Sequence, residues 1–198
     1  MPLESHLPYN FYNRPVVQVA REMLGMRLVR LWNGQRLAGI ITETEAYRGE
    51  EDLACHARSG RTARTALMYG PPGRAYVYFT YGMHWMLNCV CEEEGFPAAV
   101  LIRAVQPVEG LASIAAHRPG RPPAEWCSGP ARLTQALRID AAQNGADLCA
   151  PASELWLEAA APVSDNAVSR GPRVGISRTP EPWRSIPWRF SILGAQNK

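Results

Sequence analysis

Apolar residues along this chain recur with two different periods, and the switch between them marks the elements. Val16, Val19, Ala20, Met23 and Leu24 fall on one face at helical spacing, which predicts a helix with a buried stripe. Asn13 is placed as its N-cap, Pro15 in its first turn and Gly25 as its stop. Strand-like patterning follows over residues 26–32, then Asn33-Gly34, then RLAGIITETEAY, which together read as a β-hairpin with a tight turn. A strand is predicted over 75–79, a turn at Tyr81-Gly82, a second strand over 83–92 and an apolar central strand over 98–107.

Residues 109–117 suit a short helix, and 117–126 form a Pro-rich loop. Ser128 is placed as the cap of a helix over 128–139 with Pro130 in its first turn. Residues 150–172 read as irregular or short strands, with RVGIS (173–177) and RFSIL (189–193) as closing strands around a Pro/Trp loop. Helices toward the ends and strands in the middle predict an α+β fold. The expectation is one domain over residues 1–198, with a curved, mostly antiparallel β-sheet flanked by helices. The one long interruption is 49–74, a polar stretch rich in Gly, Arg and Pro. It is too long for a simple connector, and loops of this kind tend to carry function.

Composition narrows the class. With 46% hydrophobic and 20% charged residues, 198 residues can bury a core without metal or disulfide help. No apolar run approaches the about 18 residues of a membrane span. The opening MPLESHLPYNFYNRP has no basic region followed by an apolar one, so an intracellular, cytoplasmic protein without a signal peptide is expected. Cys55, Cys89, Cys91, Cys127 and Cys149 are odd in number and include no Cys-x-x-Cys, which suits reduced, mostly buried thiols. His6, His56, His84 and His117 show no ligand spacing, so neither a metal nor another cofactor is expected.

A net charge of +3 says little about nucleic acid. The kind of charge says more: of 21 basic residues, only Lys198 is a lysine. Arginine suits phosphate contacts, although genomic base composition produces the same bias.

Three clusters could carry chemistry. With a period of two, Ile41, Glu43, Glu45 and Tyr47 share a strand face, giving either a solvated strand end or a carboxylate whose pKa is raised for activating water. Arg58, Arg61 and Arg64, interspersed with Gly, Ser and Thr, suit a phosphate-binding stretch or a solvated basic loop. Tyr76 and Tyr78 share a strand face near Tyr69 and Trp85, while Tyr81 sits at the hairpin tip. A bulky ring at such a tip can wedge into a base stack, and stacked tyrosines can hold a purine.

The strings GIITETEAYRGEEDLACHARSGRTAR, GRAYVYFTYGMHWMLN, VLIRAVQPVEG, CSGPARLTQAL and RVGI resemble the alkyladenine (3-methyladenine) DNA glycosylase family, in order and spacing, from residue 13 to about 193. The resemblance implies a monofunctional enzyme that flips alkylated or deaminated purines from double-stranded DNA and hydrolyses the glycosidic bond. Glu45 then matches the general base, with Arg103 and the Val174 carbonyl as holders of the attacking water. Tyr47, His56 and Tyr78 match the residues that sandwich the flipped purine, and His56 also faces its edge. Tyr81 matches the intercalating residue, and Asn88 the one that disfavours guanine by crowding its amine. Glu43 receives no role. Arg58, Arg61 and Arg64 are left as the DNA-backbone candidates, and a monomer is expected.

The C-terminus LGAQNK and the 178–188 loop depart from the family's better-known members. Two other readings stay open. A glycosylase/lyase needs an amine; there is no internal lysine, but loss of Met1 would expose the Pro2 amine, in an MPLE start that resembles formamidopyrimidine glycosylases without their four-cysteine zinc finger. A non-catalytic damage-binding module would keep the fold but release no base.

Overall fold

The computed structural model describes residues 6–195. Its centre is an eight-stranded sheet in which six strands form a continuous path and the last two, a C-terminal pair, join the longest strand from the side. The strands are β1 (Arg27–Trp32), β2 (Gln35–Arg48), β3 (Ala75–Thr80), β4 (His84–Val90), β5 (Ala98–Glu109), β6 (Leu155–Glu158), β7 (Val168–Gly171) and β8 (Arg189–Ile192). Every pairing between them is antiparallel. The 14-residue β2 organises the sheet: β5 runs along one edge, while β1 and then β8 share the other. Four α-helices lie among the described residues: α1 (Tyr9–Tyr12), α2 (Val16–Glu22), α3 (Leu111–His117) and α4 (Pro130–Leu137). The class is α+β, as the pattern predicts. However, α3 and α4 lie between β5 and β6, and the C-terminal part carries strands, so helices are not confined to the ends.

The β1–β2 hairpin closes as expected: Asn33 and Gly34 have φ of +49° and +76°, the left-handed pair that a two-residue turn requires. Both predicted helix caps are corrected. Asn13 closes α1, and α2 starts after Pro15. The free Val16 amide is satisfied instead by the Glu92 carboxylate at 3.0 Å, a partner 76 residues away. Helix α4 starts after Gly129, with Pro130 in its first turn, while Ser128 makes a bridge to Ala104.

The predicted strand over 173–177 does not form. The Val174 amide goes to a side chain instead of a strand, donating to Glu45 Oε1 at 2.6 Å, and the Arg173 side chain turns inward to Asp52.

The two faces of the sheet are built differently. Ala75, Val77, Leu87, Cys89, Ala98 and Val100 point into the main core with the apolar stripe of α2 and Leu133, Ala136 and Leu137 of α4. The alternate residues Tyr76, Val90 and Ala99 point the other way. There the 49–74 segment folds over them in two short 3₁₀ turns, His56–Ser59 and Ala66–Tyr69, and buries Cys55, Ala57 and Met68. The five cysteines are free thiols; Cys149 is half-buried and the others are buried.

Candidate active site

Strict alternation puts Ile41 beside Glu43, Glu45 and Tyr47, and the structure overturns this. Ile41 packs in the main core with Ala46, a residue of opposite parity. The cause is a pair of irregularities between β2 and β5. Ile41 faces Val105 and Glu43 faces Ala104, leaving Thr42 extra; Thr44 then faces Ile102, leaving Arg103 extra on the other strand. Bulges of this kind re-aim side chains and recur beside active sites. Here they turn Glu43, Glu45 and Arg103 toward one another.

Glu45 is fully buried. Its Oε1 accepts the Val174 amide at 2.6 Å, and its Oε2 accepts the Tyr47 hydroxyl at 2.8 Å. Arg103 Nη1 lies 3.3 Å from the same Oε2. Burial pushes the Glu45 carboxyl above its ordinary value, although Arg103, the Val174 amide and the Tyr47 hydroxyl all pull against it. It is a carboxylate kept basic for its neighbourhood.

Tyr47, Arg103 and Val174, the three groups that hold Glu45, also wall a cavity of about 360 Å³. His56, Tyr78, Asn88 and Tyr81 also line it, so the fold gathers the predicted substrate-binding and intercalating residues around one cavity, with Glu45 buried directly behind the Tyr47, Arg103 and Val174 that wall it. Volume and lining suit a flat aromatic ligand. His56 meets Tyr78 edge-on at 4.4 Å between ring centroids, and its Nδ1 is 3.0 Å from the Tyr76 hydroxyl. Burial, then Arg64 and Arg58, push the His56 imidazole down to about 4, so it is neutral near pH 7. Asn88 is buried and donates from Nδ2 to the Tyr76 carbonyl at 3.0 Å, which fixes its amide against the cavity.

Tyr81 is 80% exposed at the β3–β4 tip and has φ of +51°. A non-glycine residue in the left-handed region carries a backbone cost that a plain turn would avoid by using glycine. The ring borders both this cavity and an adjoining groove of about 690 Å³ that runs past Arg58, Arg64 and Arg178. Arg64 also lies over the Tyr78 ring at 5.2 Å. Arg61 is not part of that groove; it sits over Tyr69 at 5.8 Å. Pro2 lies outside the described residues.

Several contacts of the site escape the sequence. Tyr76 holds His56. Glu43 accepts Arg103 Nε at 2.9 Å. Arg173 and Asp52, both fully buried, pair at 2.5 and 2.9 Å; Arg173 also bonds the carbonyls of Ala46 and Trp183 and covers the Tyr47 ring at 4.7 Å. All four residues lie in strings or strand faces that the sequence marks. Their contacts are not marked there, because the partners are far apart along the chain and leave no local signal.

Comparison with known proteins agrees with this geometry. The family model for methylpurine-DNA glycosylase (MPG) matches residues 10–196. A Myxococcus xanthus protein named "Putative 3-methyladenine DNA glycosylase" is 48% identical over 191 residues, covering 96% of this chain and 92% of its own. A Methanocella arvoryzae protein of the same name is 48% identical over 185 residues, covering 93% and 90%. One from Carboxydothermus hydrogenoformans is 46% identical over 186 residues, covering 94% of each. No helix among the described residues is long and apolar enough to cross a membrane. With family match and site geometry in agreement, the chain belongs to the methylpurine-DNA glycosylase family and is a DNA glycosylase.

Proposed function

We propose that this protein flips alkylated purines out of duplex DNA and hydrolyses their glycosidic bond with a water activated by Glu45. The observation that carries the reading is the buried Glu45 carboxylate, held by Tyr47, Arg103 and Val174, all three of which line an aromatic cavity. Tyr81 enters the base stack and replaces the extruded purine, offsetting an unpairing cost of a few kcal/mol that is least for damaged bases. The purine lies between Tyr47 on one side and His56 with Tyr78 on the other, and a cationic alkylpurine gains cation–π attraction there. Arg58 and Arg64 take backbone phosphates along the adjoining groove.

In the reaction the C1′–N bond breaks and its electron pair leaves with the base. The water oxygen, held by Arg103 and the Val174 carbonyl, bonds to C1′, and Glu45 takes its proton. The Glu45 charge also stabilises the oxocarbenium-like transition state. A base that is already cationic leaves as a neutral molecule and needs no acid. His56, neutral near pH 7, is a poor proton donor for neutral purines such as hypoxanthine or ethenoadenine. Methylated purines, which leave without an acid, are the substrates this site serves most directly, and base excision repair is the process served.

The test is base release from duplexes carrying one 7-methylguanine, 3-methyladenine analogue, ethenoadenine or hypoxanthine, comparing wild type with Glu45→Gln. Alkali-dependent strand cleavage by wild type, lost in the variant, is the expected result. Cleavage without alkali, trapped by borohydride, would mean lyase chemistry. Lesion binding with no release by wild type would mean a binding protein.

A further inference from the structure

We infer that Glu43 is a positioning residue for base release: it pins Arg103 by its Nε edge and divides that cation between two carboxylates. The inference rests on the Glu45 assignment proposed above. Glu43 Oε1 accepts Arg103 Nε at 2.9 Å and Arg189 Nη1 at 3.3 Å, while Arg103 Nη1 faces Glu45 Oε2 at 3.3 Å. Charges therefore alternate along a row, Arg189–Glu43–Arg103–Glu45. The row is assembled from three strands, since Glu45 is also the register partner of Arg189. It depends on both bulges, without which Arg103 would take its normal place in the ladder.

Two consequences follow from this geometry. First, with Nε tied to Glu43, the guanidinium turns its Nη edge to Glu45 and the cavity. Second, the shorter Arg103 contact goes to Glu43 rather than to Glu45, so the base is only partly neutralised. The Glu43 and Arg103 side chains are 7% and 12% exposed, which leaves little water to screen this competition. The other titratable or charged groups around Glu45 are Tyr47 on its own strand, Tyr78 on β3, Arg189 on β8, and Arg173 with Asp52 behind Tyr47. Glu43 is the other carboxylate in the row, and it opposes ionisation of Glu45.

The test is the pH dependence of single-turnover 7-methylguanine release by the full chain, for wild type, Glu43→Gln, Arg189→Met and Glu45→Gln. Glutamine keeps an acceptor for Arg103 Nε but removes the charge. Arg103 then serves Glu45 more fully, and the acidic limb is expected to move down by roughly half to one pH unit. Arg189→Met has the opposite sign: Glu43 draws harder on Arg103, and the limb moves up. A purely structural Glu43 would lower the amount of folded enzyme, and hence the plateau, without moving the limb. Limbs unmoved in both folded variants, with Glu45→Gln inactive, would overturn this inference and leave the base assignment standing. Should Glu43→Gln fail to fold, an unmoved limb in Arg189→Met overturns it alone. Wild-type release by Glu45→Gln would overturn both.

Discussion

Two buried carboxylates lie close to Tyr47, Glu45 bonded to its hydroxyl and Asp52 paired with the arginine that covers its ring, and they are held in contrasting ways. Asp52 receives both Nη groups of Arg173 at 2.5 and 2.9 Å, and its oxygens also accept the amides of Ala54 and Arg48. Glu45 receives one hydroxyl and one amide, and shares its arginine at 3.3 Å. The first is a bidentate pair whose partners are committed to each other, closing the 49–74 segment against the 172–188 loop. The second is short of positive charge for its depth, and burial dominates its pKa. Pairing quality, more than burial, separates a clamp from a base.

Substitutions should make the contrast sharper. The largest effect is expected for Glu45→Gln, which should cost about a thousandfold or more in single-turnover base release, the scale of a lost general base. The folded protein should lose no stability. Because the folded Glu45 carboxyl sits above its ordinary value of 4.5, the ionised form opposes folding, and stability should fall as pH rises through that interval. Removing the charge should leave the melting temperature equal or higher near pH 7. A large drop in melting temperature would place Glu45 with the clamp.

Arg173→Met should do the reverse. It leaves Asp52 buried and unpaired, at a cost of about 3–5 kcal/mol, readable as a loss in denaturant midpoint. Retained stability would mean that water reaches Asp52 and that no clamp exists.

Tyr81→Gly tests a third situation, an exposed ring on a strained turn. Glycine relieves the positive φ, so stability should hold or rise by about 0.5–1 kcal/mol. Lesion excision should fall by about tenfold, within the about 1–3 kcal/mol of one stacking contact. Unchanged excision would remove Tyr81 from the flipping step.

The smallest effect concerns His56. Its folded value of about 4 lies below the ordinary 6.5, so the neutral ring contributes stability above 6.5 that is lost as pH falls toward 4. His56→Gln should flatten the melting temperature between those limits. An unaltered slope would show the ring to be better solvated than its surroundings suggest.

Much of the fold was legible because it rests on local periodicity. The α2 stripe, the Asn33-Gly34 hairpin and the β3–β4 pair follow from spacing and turn chemistry. The cap of α2 was not legible, because Glu92 supplies it from across the chain. The strand expected over 173–177 failed because the Val174 amide goes to Glu45 rather than to a sheet neighbour. Glu43 was left without a role because its place depends on two bulges, which strict alternation conceals.

The sequence by itself determined which residue types stand where: a glutamate and a tyrosine two apart, a histidine nine residues on, tyrosines on one face, an arginine in an apolar strand. Motif order was enough to identify the family. Only the tertiary structure decided how strongly Glu45 is neutralised, that His56 is neutral, and that Arg58 and Arg64 share a groove while Arg61 stands apart. Those properties depend on distances between segments and on exclusion of water. Chain-local preferences encode neither, because an electrostatic energy is set by separation and dielectric in space and not by separation in sequence.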